Sequence, residues 1–410
     1  METKVGTPIA IAGSTANTRD QLKDGPATQR KTPMVWSCNE WDPLQEVIVG
    51  NVLNARFPHP DKSTHVGEWA GRPFEQIPSG SIPQAVIEET AEDLSEFAES
   101  LKKLNIIVKR PDTWPHDVEF STPFWSTKGY YNYCPRDIMV VVGDQIIETP
   151  NTIRGRYLES FSYRPILMEY LKAGARWYSA PKPMLLDSVF EVDQSRPIPK
   201  NDEPIFDAAN ILRFGRDLLY LVSCTGNEMG AHWLQAMLGE DYRVHLCHIN
   251  YLGSHIDTSV VPLRPGLLLC NPDRVTKEML PQFLQSWKII FSPPLVGTGR
   301  FDDDYVSRSI GSKWIDMNLF SISPELVVVD RDQLPLIKLL EANGLDVMPS
   351  KLRHSRMLAG GFHCVTLDTR RQGRMESYVE TSAGSHSPGA GTNRGDIRIR
   401  APIHPGNKNQ

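Results

Sequence analysis

Along the middle of the chain, apolar residues follow two alternating rhythms. In AVIEETAEDLSEFAESLKKLNIIVKRP (85–111), Val86, Leu94, Phe97 and Leu101 fall near helical spacing, and a Lys-Leu-Asn stop precedes an apolar IIV. The first part predicts an amphipathic helix and the second a short strand. The same order returns in 163–181, 227–249, 276–294 and 334–352, with Gly174 and Gly344 set to end two of the helices. Between these units lie wholly apolar runs that read as buried strands: EVIVG (46–50), DIMVVVGDQIIET (137–149), DLLYLVS (217–223), GLLLCN (266–271) and LVVVD (326–330). Gly143-Asp144 supplies turn chemistry inside the second run, which therefore reads as a hairpin.

Five helix–strand units alternating with five buried strands predict an α/β protein built from a five-fold strand–strand–helix–strand module. A ring of such small sheets would gather loop residues around one central channel. An open α/β sheet has the same alternation, and period alone does not separate the two. The ends differ from the middle: 1–31 lacks periodicity, and 381–410 is rich in Gly, Ser, Pro and Asn. Both read as disordered tails around one domain at 32–380.

Composition narrows the function. The 410 residues are 40% hydrophobic and 23% charged with a formal net charge of −5, which weighs against a nucleic-acid binder. No apolar run approaches the ~20 residues that span a bilayer. The start of the chain carries acids and only a short apolar patch, unlike a secretory or transit segment. Cys38, Cys134, Cys224, Cys247, Cys270 and Cys364 are scattered without a C-x-x-C pair. A reducing, cytoplasmic setting is expected.

The candidate chemistry centres on LAGGFHCVTLD (358–368). Cys364 is open to three readings: buried filler, metal ligand or nucleophile. Gly360 and Gly361 would let the backbone approach a ligand or adopt positive φ, and VTLD reads as a strand that would hold the thiol rigidly. In NYLGSHIDTSVVP (250–262), His255 and Asp257 share one face if the chain is extended. Asp137 stands at the mouth of an apolar strand, and Asp207 follows Phe206 at a helix start that it could simply cap. Two or three carboxylates with a Cys and a His suit a guanidinium, whose planar fork of donors asks for paired acceptors. The rival metal cluster, His245, Cys247 and His248, splits across two strand faces and reads as core. No Walker or dinucleotide fingerprint occurs.

The ordered set NEWDPLQEVIVG, CPRD, FDAAN, SHIDT, NPDR, GSKW and GGFHC resembles the arginine-dependent amidinotransferases of the guanidino-modifying (pentein) superfamily, from about residue 33 to 375. FDAANILRFGRDLLYLVS, GNEMGAHWLQ and VPLRPGLLLCNPDRV look most like inosamine-phosphate amidinotransferases. The resemblance implies a five-bladed α/β propeller and ping-pong transfer from L-arginine to an amine acceptor. Cys364 would carry the amidino group, His255 would act as general acid/base and Asp207 would orient it. Asp137 and Asp257 would hold the guanidinium, and Arg274 and Ser312 the donor's amino-acid end. A thiolate beside a charged histidine is the expected resting pair. No metal or organic cofactor is implied, and a homodimer is left open. Glycine-using relatives carry a bulkier Asn-Pro-Met where this chain has Leu252, Gly253 and Ser254. The smaller residues predict a wider lip and an acceptor larger than glycine: an aminocyclitol phosphate first, lysine second. Gly311 stands where relatives often carry Ser, which predicts one donor hydrogen bond fewer.

Overall fold

A computed structural model describes residues 34–296 and 308–378. The tails expected at 1–31 and 381–410 lie outside the described residues, as do 297–307 and the outermost positions of the domain expected at 32–380. Five three-stranded sheets share one topology, in which a middle strand has an antiparallel neighbour on one side and a parallel one on the other. The middle strands are Leu44–Val49, Gln145–Glu148, Asp217–Leu221, Leu267–Cys270 and Leu326–Asp330. Their antiparallel partners are Thr366–Arg371, Met139–Val142, Ile211–Phe214, Val260–Arg264 and Phe320–Ser321. Their parallel partners are Ile107–Lys109, Arg176–Ser179, Arg243–Cys247, Lys288–Phe291 and Asp346–Ser350.

A parallel neighbour requires a crossover, and helices Gln84–Lys103, Arg164–Lys172, Glu228–Leu238 and Leu334–Ala342 make four of them. Each buries its apolar stripe, as Val86, Leu94, Phe97 and Leu101 do. The helix expected in 276–294 does not form. That crossover holds only two single 3₁₀ turns, Lys277–Met279 and Gln282–Leu284. Pro281 lacks an N–H and disfavours helical backbone before it, and Leu280 is accordingly extended at φ −77°, ψ 147°. The hairpin at Gly143 forms as expected, with φ +61° at the turn. His245 and Cys247 lie in the strand Arg243–Cys247, where Cys247 is core and His245 pairs with Asp217. Among the described residues, no helix is long and apolar enough to cross a membrane.

The sheets meet around buried charge. Arg213, 1% exposed, donates to Glu40 Oε2 at 2.7 Å and to both oxygens of Asp368 at 2.9 Å. Arg136 and Arg371 each reach Asp368 at 2.6 Å. Arg213 belongs to the third sheet, Arg136 precedes the second, and Asp368 and Arg371 lie on the strand that pairs with Leu44–Val49. Burial favours neutral acids, but the guanidinium groups outweigh it and hold Glu40 and Asp368 well below the usual carboxylate range.

Arg213→Met strips two buried carboxylates of their main partner, so an unfolding cost of about 3–5 kcal/mol is expected at neutral pH. Carboxylates with depressed folded pKa values stabilise above their unfolded pKa and lose that contribution as pH falls. The difference from wild type should therefore shrink in acid. Denaturant unfolding at several pH values checks this, and equal stabilities at neutral pH would contradict it.

Candidate active site

Cys364 lies in the turn between the short helix Ser355–Leu358 and the strand Thr366–Arg371, two residues before the strand rather than on it. Thr366 ties the turn down, its hydroxyl donating to Phe362 O at 2.8 Å. The two glycines serve the protein and not an incoming ligand. A Cβ on Gly360 would stand 2.5 Å from Cys134 Sγ, and one on Gly361 would stand 2.6 Å from Asn318 Cβ. Neither adopts positive φ; Ala359 does, at +53°. Asn318 holds the nucleophile candidate from both ends. Its Oδ1 accepts from Cys364 N at 2.9 Å, and its Nδ2 donates to Cys364 Sγ at 3.2 Å.

Acids and an imidazole from three other segments converge on this 1%-exposed thiol. Ligand atoms of Cys134, Asp137 and Cys364 lie within 4.8 Å of one another, as do those of His255, Asp257 and Cys364. His255 precedes the 3₁₀ turn Ile256–Thr258, so a turn, not an extended strand, brings His255 and Asp257 to one side. Asp257 Oδ2 accepts from the Cys364 thiol at 3.2 Å and pairs with His363 Nδ1 at 2.9 Å. Asp137, in the turn Pro135–Ile138, accepts from Arg156 Nη1 at 2.6 Å through Oδ2. Its Oδ1 lies 3.6 Å from His255 Nδ1. Asp207 occupies the N-cap position of Ala208–Asn210 but makes no capping bond. Its Oδ1 accepts from Thr152 N at 3.0 Å and Asn151 Nδ2 at 3.2 Å, and its Oδ2 takes the His255 Nε2 hydrogen bond at 3.1 Å.

Within this cluster two carboxylate oxygens are buried without a hydrogen-bond partner among the described residues, Asp137 Oδ1 and Asp257 Oδ1. Leaving such atoms bare costs free energy unless a ligand supplies donors.

The charges set the protonation of the empty site. Burial opposes a charged His255, yet Asp137 and Asp207 outweigh it and raise its pKa well above the ordinary value. Burial likewise favours neutral Asp207 and Asp257, but His255 and Arg156 hold the first, and His363 and His255 the second, below their usual range. Contact with Cys134, burial and the charges of Asp257 and Asp137 push the Cys364 thiol well above its ordinary value, with His255 opposing. Burial and the neighbouring acids thus work against the expected Cys364 thiolate, and the same acids favour a charged His255.

The remaining candidates fall further out. Arg274 stacks over the Tyr251 ring at 3.7 Å and donates to Thr258 Oγ1 at 2.9 Å and Ser259 Oγ at 3.2 Å. Ser312 Oγ accepts from Trp314 N at 3.1 Å; among the described residues no hydrogen bond joins it to Arg274 or to the thiol cluster. The lip does not open as expected. A Cβ on Gly253 would meet the Tyr251 ring at 2.4 Å, so Tyr251 already fills the space the glycine leaves. Leu252 and Ser254 are pinned by their carbonyls, which accept from Cys224 N at 3.0 Å and Ser223 Oγ at 2.8 Å. Gly311 packs similarly, its Cβ position 2.9 Å from Arg356 O, where a serine would not fit without movement.

Sequence reasoning missed Arg156, Asn318, His363 and Glu68. Arg156 is bracketed by Glu159 and Asp137. Glu68 accepts from Tyr130 Oη at 3.1 Å, and burial pushes its carboxyl up to about 8. Only His363 carried a signal, its place beside Cys364; nothing in the stretches around the others marks them out.

No family model matches the chain. The chain is 51% identical over 343 residues to inosamine-phosphate amidinotransferase 1 of Streptomyces griseus, covering 83% of this chain and 97% of the relative. It is 36% identical over 369 residues to the L-arginine:L-lysine amidinotransferase of Pseudomonas savastanoi pv. phaseolicola, covering 85% and 98%. The solved inosamine-phosphate amidinotransferase of Streptomyces griseus superimposes with a TM-score of 0.81 at 49% identity, over 85% of this chain and 99% of that one. Identity of this size over nearly the whole described chain decides the matter: the protein is an enzyme of the amidinotransferase family that includes the inosamine-phosphate amidinotransferases.

Proposed function

We propose that the protein moves the amidino group of L-arginine, through a covalent amidino-Cys364, to the amine of an aminocyclitol phosphate such as scyllo-inosamine 4-phosphate. The observation that carries the donor half is the pair of bare, buried oxygens, Asp137 Oδ1 and Asp257 Oδ1, beside the thiol. A guanidinium offers in-plane N–H donors to both and sets its carbon against Sγ. Its positive charge also offsets the two acids that keep the thiol neutral, so the nucleophile is released when the substrate arrives.

The proton ledger closes with His255 alone. Sγ bonds to the guanidino carbon and the bond to the ornithine nitrogen breaks. The thiol proton and one from His255 leave on that nitrogen as an ammonium group. Neutral His255 then takes one proton from the acceptor's ammonium, and the second returns to sulfur as the new C–N bond forms. Asp207 keeps the imidazole in register, and Arg274 is assigned to the arginine carboxylate.

The acceptor reading rests on the relatives at about half identity, because Tyr251 removes the argument from a wide lip. Lysine is the second reading, favoured by the 36%-identical relative whose name specifies it. We further propose that the five sheets stand as blades of a propeller, a reading supported by their common topology and by pairing of the last described strand with the first long one. A cytoplasmic setting completes it.

With arginine as donor, ornithine beyond the one equivalent of the first half-reaction should appear only when an amine is supplied, with the aminocyclitol phosphate turned over ahead of lysine and glycine. Citrulline formed without any amine would make the protein a hydrolase, and glycine as the best acceptor would overturn the acceptor reading. His255→Gln should lower kcat by about 10²–10⁴-fold. Because paired acids raise the His255 pKa, kcat/KM for arginine should hold through neutral pH and fall on the alkaline side as His255 loses its proton. Asp207→Asn should move that fall to lower pH, and an unmoved limb would remove Asp207 from its assigned part.

A further inference from the structure

His363 has no part in the chemistry described above, yet it is buried against the residue that has. Its Nδ1 lies 2.9 Å from Asp257 Oδ2, and its Nε2 lies 3.2 Å from Glu40 Oε2. Each ring nitrogen therefore faces a carboxylate oxygen, and the ring bridges the thiol site to the ion cluster. The far end of that bridge is rigid. Glu40 is gripped by Arg213 through Nε at 2.8 Å and Nη2 at 2.7 Å, and Arg213 is fixed in turn by Asp368. The backbone of His363 is held as well, its carbonyl accepting from Arg136 Nε at 3.4 Å and Thr366 Oγ1 at 3.0 Å.

Two groups occupy Asp257 Oδ2, the His363 ring and the Cys364 thiol. Oδ1 is left bare in a buried position. A carboxylate free to turn would present either oxygen to the site and would pull the thiol with it. Resting on the donor reading above, we infer that His363 is a positioning residue: it locks the Asp257 carboxylate so that Oδ1 faces the guanidinium and Oδ2 faces Cys364. The groups facing Asp257 are His363, His255 and Cys364, and those facing His363 are Asp257 and Glu40. The hydrogen bond and charge of His363 also help hold Asp257 below the usual carboxylate range against burial.

The test is His363→Gln, read in the two half-reactions separately. Losing a group that orients a first contact typically costs ~10–100-fold, so KM for arginine should rise by that much while KM for the acceptor amine stays as in wild type. The acid limb of kcat/KM for arginine should move to higher pH, because Asp257 then titrates closer to its ordinary range. In an Asp257→Asn background the same substitution should change neither quantity further, since His363 acts through Asp257. A variant that unfolds more easily but keeps the wild-type arginine KM and acid limb would make His363 purely structural and overturn the inference. Should the variant not fold, ¹⁵N-labelled histidine in the wild-type protein carries the test: arginine should shift the His363 ring resonances and the acceptor amine alone should not. Absence of a shift with arginine would overturn it. Wild-type protein that releases no ornithine would instead bring down the donor reading itself.

Discussion

The structure depends on a cluster of charges that water does not reach. Glu40, Arg136, Arg213, Asp368 and Arg371 come from segments far apart in sequence and pair at 2.6–2.9 Å in the interior, apart from a looser Arg136–Glu40 approach at 3.6 Å. Buried ion pairs add little stability compared with well-packed apolar groups, but a broken one is costly. Their use here is geometric. Each guanidinium fits only one arrangement of its acids, so the strand bearing Asp368, the strand bearing Arg213 and the turn bearing Arg136 have one permitted relation. Cys364 hangs from the first of these strands and Asp137 from the turn. His363 carries the constraint across to Asp257.

The same economy of donors explains the site itself. Asp207 has all its hydrogen bonds and serves the imidazole. Asp137 and Asp257 each spend one oxygen on protein and keep the other bare. Negative charge held this way raises the pKa values of His255 and Cys364 together. On the proposed reading, a guanidinium between the acids offsets that charge and favours the thiolate that attacks it.

Much of the fold was legible because its signals are local. Helical spacing, apolar runs, Gly174, Gly344 and the Gly143 turn recovered four of the five helices and all five middle strands. The fifth helix failed because Pro281 lies inside an otherwise helical pattern, and its cost outweighs apolar periodicity. The residue types of the site were legible too, but not their contacts. Asn318 and Arg156 gain their meaning from partners on other sheets. Gly253, Gly360 and Gly361 were read as openings toward substrate, whereas the space beside each is filled by Tyr251, Cys134 and Asn318. A glycine in a sequence announces that something comes close; only the fold says what.

The central claim is that Cys364 itself carries the amidino group between donor and acceptor. Mass spectrometry of the protein after exposure to arginine alone, with no amine present, tests it most directly. The account predicts an amidino adduct on the peptide containing Cys364, formed with one equivalent of ornithine and discharged when the acceptor is added. An unmodified Cys364 peptide in protein that still transfers the group from arginine to the amine would contradict it.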